Sequence, residues 1–311
     1  MTELLFLAAL ALLLVPAALG SVGHGLSHPE RTRLMVGSLT VGITLVEVGL
    51  ILTAAPTVLR AFRMTDLAAV CERLAGHVLG GNVAVGWAAA TLALILACLA
   101  LVGAQRSRNV QHRMRADSWV GTHSRLGPYE LVVLPTSSML AVSVPGRPGQ
   151  ILLSEGLMTA LKPMEVEAVL RHEAAHLDLR HGSILTIVSM VQWSVGWLPM
   201  MRRSLSSLRL SLEQWADAVA VEDLGSSQPL LAALRTYVSL AVSPYAAAFS
   251  AAETIGWRVH ALVKHPSEST AGVKWLSYSV VGGLGAVATG ALTVWISHAH
   301  QLAAASLYCP I

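Results

Sequence analysis

The chain is short of charge. Only 13% of its 311 residues are Asp, Glu, Lys or Arg, where a soluble domain carries about a quarter. With 54% hydrophobic residues and a mean hydropathy of +0.61, that shortage excludes an ordinary soluble globule. It points to an integral membrane protein with a modest soluble part. A net charge of +3, dispersed along the chain, provides no basic face, so no direct nucleic-acid binding is expected. Cysteine is scarce as well: Cys71, Cys98 and Cys309 lie far apart with no CxxC pair, which argues against a thiolate zinc site. No internal repeat stands out beyond a general richness in Ala and Leu.

What is present is apolar length. A bilayer takes about 20 residues to cross, and four stretches qualify: about 4–20, 34–59, 82–104 and 273–297. The first is the shortest. Glu3 without Lys or Arg ahead of it weakens a signal-peptide reading, although the small residues of "VPAALG" leave a cleaved leader as the alternative. After the third stretch comes "QRSRNVQHRMR", with Arg106, Arg108, Arg113 and Arg115, and no Lys or Arg follows Lys274. Cytoplasmic flanks are the basic ones, so residues 105–272 are expected in the cytoplasm and both termini outside, in the cell membrane. Arg31 and Arg33 then fall inside. Arg60, Arg63 and Arg73 fall outside and disagree mildly.

A fifth apolar run, "GSILTIVSMVQWSVGWLPMM" (182–201), has the hydropathy of a span. Crossing once would put its two flanks on opposite sides of the membrane, and the residues between His176 and Glu213 are too few for two crossings at about 20 residues each. If both flanks build one site, this run is buried in the soluble domain or lies along the membrane surface. Pro199, Trp193 and Trp197 suit a broken, interfacial helix.

The chemistry-bearing residues lie on those flanks. "PMEVEAVLRHEAAHLDL" (163–179) reads as a helix opened by Pro163. On it His172 and His176, four apart, stand about 40° from each other around the axis and can reach one ion. Glu173 is turned about 100° to the side, where a general base would meet the metal-bound water of an H-E-x-x-H site. Downstream, "LRLSLEQWADAVAVEDLG" (208–225) reads as a second helix with Glu213 and Asp217 on one face. Glu213 can complete a His, His, Glu set with a fourth position open to water. Asp217 can accept the free ring N–H of a ligand histidine, His172 first. A solvated acidic face is the plain alternative for that pair. His181, five residues past His176, falls off the ligand face and is set aside.

"VLRHEAAHLDLRH", followed by "WSVGWLP", "RRSLSSLRLSLEQWAD" and "WRVHAL", resembles the BlaR/MecR-type membrane metallopeptidases over about residues 105–265. The broader gluzincin group, with the HtpX-type and CAAX prenyl proteases, shares HExxH and ExxxD, and His181 looks more like that branch. The resemblance implies Zn2+ held by His172, His176 and Glu213, with Glu173 as catalytic base and Asp217 behind the ligands. It implies a mainly α, four-span membrane protein with a cytoplasmic gluzincin-like α+β domain that carries a small β-sheet. It also implies regulatory proteolysis of a cytoplasmic, BlaI/MecI-like repressor under β-lactam or cell-wall stress. The rival roles are membrane-protein quality control and a zinc-bound scaffold without proteolysis. Only "HAHQLAAASLYCPI" (298–311) follows the last expected span, so the penicillin-sensor domain of that family is not expected here.

Other expectations are smaller. An oxyanion stabiliser is sought among Arg258, His260 and His265, with Arg258 or His260 preferred. "YELVVLPTSSMLAVSVPGRPGQILLSEGL" (129–157) reads as short strands whose free edge can bind an extended peptide or simply cover the helix. Glu47 in mid-span is a sensing candidate or a helix-pairing group. "GGLGAVATG" (282–290) suits close helix packing within the chain or across a homodimer. Cys71 and Cys309 can pair outside, and His298 with His300 is a weak metal candidate.

Overall fold

The computed structural model describes residues 2–22, 26–75, 82–241 and 249–263, with scattered positions beyond. Three long helices form its first layer: α1 (Thr2–Val22), α2 (His28–Ala61) and α4 (Val83–Asp117), with the short α3 (Thr65–Ala75) after α2. α2 starts on a capping box in which Glu30 accepts from the Ser27 backbone N–H at 3.1 Å, with Pro29 in the first turn. α4 starts where Asn82 accepts from the Ala84 N–H at 2.9 Å. The helices approach closely through small residues: a Cβ on Gly86 would meet the Thr57 side chain at 1.9 Å. At 34 residues, α2 is about 50 Å long and outreaches a hydrocarbon core of about 30 Å.

Two of the four expected spans meet the length and hydropathy of a crossing helix, in His28–Ala61 and Val83–Val120. The first is a shorter apolar helix, Leu5–Gly20. Most of 273–297, including most of the small-residue run 282–290, lies outside the described residues, as do His298, His300 and Cys309. Among the described residues, two helices are thus long and apolar enough to cross a membrane, with α1 packed against α2. Among the described residues, Cys71 and Cys98 form no disulfide.

The apolar run 182–201 is not one helix. It is a hairpin: α7 (His181–Val195) runs in, Gly196–Leu198 turns, and α8 (Pro199–Leu224) runs back. Pro199 does not interrupt a helix; it sits in the first turn of α8, where its missing N–H costs nothing. α7 lies antiparallel on α4. Ser107 Oγ meets Thr186 Oγ1 at 3.1 Å, Ser189 donates to the Gly103 carbonyl at 2.9 Å, and Ser194 donates to the Leu96 carbonyl at 3.2 Å. α8 returns beside α1, where Ser204 donates to the Leu13 carbonyl at 3.0 Å. One core then joins Leu13, Met35 and Leu39 of the long helices to Val188, Val191, Met201, Leu205 and Leu208 of the hairpin.

The second layer is a four-stranded sheet in the order β1-β2-β4-β3. β1 (Thr122–Leu126) and β2 (Tyr129–Leu134) pair antiparallel, β2 and β4 (Gln150–Ser154) pair parallel, and β3 (Ala141–Val144) pairs antiparallel with β4. Ile151 and Leu153 face α6 (Pro163–Asp178), while Leu152 faces Val132 and Val144 on the other side, the alternation a strand imposes. The expected strands in 129–157 are present. β1, "THSRL", was not expected: it is an exposed edge without apolar alternation. A short α5 (Glu155–Ala160) leads into α6, and α9 (Gln228–Ala241) and α10 (Phe249–Val263) complete the layer, with Leu230, Leu234 and Ile255 packed on Ala168 and Ala220.

Candidate active site

α6 supplies the first side chains. Pro163 opens it, and Glu165 accepts from the Lys162 N–H at 3.1 Å. His172 and His176 point their Nε2 atoms toward each other at 3.1 Å. From α8, Glu213 brings Oε2 to 3.5 Å from His172 Nε2 and Oε1 to 3.6 Å from His176 Nε2. Ligands about 2.0–2.1 Å from a tetrahedral zinc are separated by roughly 3.4 Å. The three donors therefore have the spacing of one tetrahedral face, and their atoms all lie within 4.8 Å of one another.

The donors are also in the right protonation geometry. His172 Nδ1 stands 2.9 Å from Asp217 Oδ1. A carboxylate accepts only, so the Nδ1 proton faces Asp217, and Nε2 is the atom that can take a metal in exchange for its own proton. His172 and Asp217 are buried. Arg258 of α10 clamps the far side: Nε donates to Asp217 Oδ2 at 2.8 Å, Nη2 to Oδ1 at 2.5 Å, and Nη1 stands 3.1 Å from Glu213 Oε2. The fork matches a carboxylate bidentately.

These contacts set the charges. Burial raises the Glu213 carboxyl, and the His172 hydrogen bond with the Arg258 charge more than reverses that, to about 2. Burial also opposes ionisation of Asp217, but Arg258 and His172 hold it far below the usual carboxylate range. His176 is lowered to about 4 by burial and by His172. Burial and Arg258 push His172 down, yet Asp217 and Glu213 prevail and leave it raised to about 9. Glu173 is pushed up, chiefly by burial, against the pull of His172 and of Ser143 on β3, which reaches it through side chain and backbone. β3 is an edge strand, so the sheet's open edge runs beside the Glu173 carboxyl.

Residues 104–277 match the model of peptidase family M48, more than half of the 311-residue chain. The chain belongs to peptidase family M48. No curated protein and no solved structure matches it. M48 membership brings metallopeptidase activity, and M48 peptidases are typically zinc-dependent; it does not single out the BlaR/MecR branch. The matched segment contains every residue of the cluster.

Of the side chains expected at the site, His172, Glu173, His176, Glu213, Asp217 and Arg258 come together. His260 does not: it is exposed on α10 beside Trp257, ring centroids 6.5 Å apart. Two positions from Arg258, it is turned about 200° around the helix. His265 lies outside the described residues. His181, set aside on the sequence, is fully buried, with Nδ1 2.9 Å from His176 Nδ1 and its ring on Trp215.

Proposed function

We propose that this M48 chain is a membrane-embedded zinc metalloendopeptidase. His172, His176 and Glu213 hold the ion, Glu173 is the general base, and Asp217 orients His172. The observation that carries this is the three-donor face, with a carboxyl raised in pKa one residue after the first ligand. Zinc bound there would polarise a water and a peptide carbonyl as a Lewis acid. Glu173 takes the proton from that water and, reprotonated, can deliver it to the leaving amine. An extended substrate strand adds to the open edge of β3, where main-chain hydrogen bonds hold the scissile bond beside Glu173. Arg258 holds Asp217 and Glu213 in place through Nε, Nη2 and Nη1, and we assign it to positioning rather than to the oxyanion.

The bilayer is the second partner. We place α1, α2, α4 and the segment 273–297 across the membrane, residues 105–272 on the cytoplasmic side and both termini outside, and leave the small-residue run 282–290 for packing or a homodimer. The hairpin 182–208 then enters the bilayer beside α4 and returns without crossing. This supports one site built from both of its flanks. Contacts at the start of α2 agree: Arg31 donates to Ser211 Oγ at 3.3 Å and to Gln214, and Thr32 Oγ1 meets Ser211 Oγ at 2.7 Å. The basic start of α2 thus lies on the same side as the site.

By resemblance, the substrate is a cytoplasmic repressor cut under cell-wall stress. A second reading, turnover of damaged membrane proteins, is favoured by the direct attachment of the site to the membrane helices. New protein N-termini in cells expressing the native chain and Glu173→Ala, under cell-wall stress, separate the two. A cut in one small DNA-binding repressor that the variant loses supports regulation. Scattered cuts in membrane proteins support quality control. No difference between the two strains would overturn the peptidase assignment.

A further inference from the structure

We infer that His181 is the positioning residue for the second metal ligand, His176, as Asp217 is for the first. The inference rests on the zinc-site reading above. For His176 to offer Nε2 to a metal, its ring proton must sit on Nδ1. The atom facing that Nδ1, at 2.9 Å, is His181 Nδ1, so His176 donates and His181 accepts. His181 then carries its own proton on Nε2, and that atom is buried with no hydrogen-bond partner among the described residues. A buried polar ring is ordinarily satisfied. This one is satisfied on the side that faces His176 and not on the other.

The surroundings hold the ring in that pose. The His176 and His181 rings meet edge to face, centroids 4.8 Å apart at 76°, and Trp215 backs His181 at 5.4 Å and 57°. Trp215 lies on α8 between Glu213 and Asp217, so one helix braces both ligand histidines. The backbone contributes as well. α6 ends at Asp178, and Arg180 takes a left-handed conformation (φ 53, ψ 36) before α7 begins at His181. An uninterrupted helix would carry position 181 about 140° around the axis from His176; the break turns it back. His181 cannot serve as a fourth ligand in this pose, because its Nδ1 faces the side of His176 that points away from Glu213.

The test is zinc affinity of the full, detergent-solubilised chain, measured by competition with a chromophoric chelator, with the cobalt-substituted absorption spectrum alongside. His181→Phe keeps an aromatic ring against Trp215 and removes the acceptor; His181→Asn restores an acceptor oxygen near the Nδ1 position. We expect Phe to weaken zinc binding about 10- to 100-fold and shift the cobalt bands, and Asn to recover most of the affinity. If the Phe variant does not fold, His181→Leu takes its place. Native affinity and spectrum in the Phe variant, or equal loss in Phe and Asn, would overturn the inference. A native chain that takes up no zinc, or a His172→Ala variant that takes up as much, would instead overturn the zinc-site reading beneath it.

Discussion

At the scale of single residues, the site is one buried charge network. Arg258 meets Asp217 through two nitrogens and Glu213 through a third. Removing it takes the guanidinium away from two buried carboxylates, so Arg258→Ala is expected to cost about 3–5 kcal/mol of stability, read from chemical unfolding in detergent. Arg258→Lys restores the charge but not the fork and is expected to recover only part. Glu173 gives a pH prediction. Its pKa is raised, chiefly by burial, and it works as a base only when ionised. Cleavage is therefore complete above that raised pKa and is lost as pH falls through it. The acid limb of kcat/KM is expected above the ordinary value of about 4.5, and a limb at or below that value would contradict the assignment.

At the scale of elements, the hairpin formed by α7 and the first half of α8 tests the membrane reading. Trp197 at its tip is 71% exposed within the protein, so its replacement removes little protein packing. If the tip sits in hydrocarbon, Trp197→Asp is expected to destabilise the folded protein in bilayers by about 2.5–3.5 kcal/mol. A tip in water would tolerate the change within about 0.5 kcal/mol. The same element shows what the sequence could and could not tell. Its hydropathy was legible, and so was the argument that it does not cross once. The return was not, because serines that donate to Gly103, Leu96 and Leu13 look like any others until their partners are known. α6, with His172, Glu173 and His176, was legible to within a residue from its proline start and period. β1 was not, because an exposed edge strand shows no alternation. The contact of His181 with His176 was not legible, because helical spacing does not continue past Asp178, where Arg180 ends the helix. Arg258 was expected near the chemistry, but its bonds to residues on another helix are a tertiary fact that spacing does not contain.

At the scale of the molecule, a His-His-Glu cluster that could hold a metal, made from two helices, is attached to a bundle of apolar ones. α6 packs on the sheet, and α8 runs from the core it shares with α1 and α2 to the acids that meet the histidines. α1 and α2 thus pack on the helix that carries Glu213 and Asp217. We propose that this assembly hydrolyses peptide bonds with Glu173 as base and zinc on His172, His176 and Glu213. The most direct measurement is zinc content and cleavage of an unfolded protein by the purified native chain and Glu173→Gln, side by side. The account predicts about one zinc per chain in both, with cleavage by the native chain and essentially none by the variant. A Glu173→Gln chain that cleaves at the native rate would contradict it.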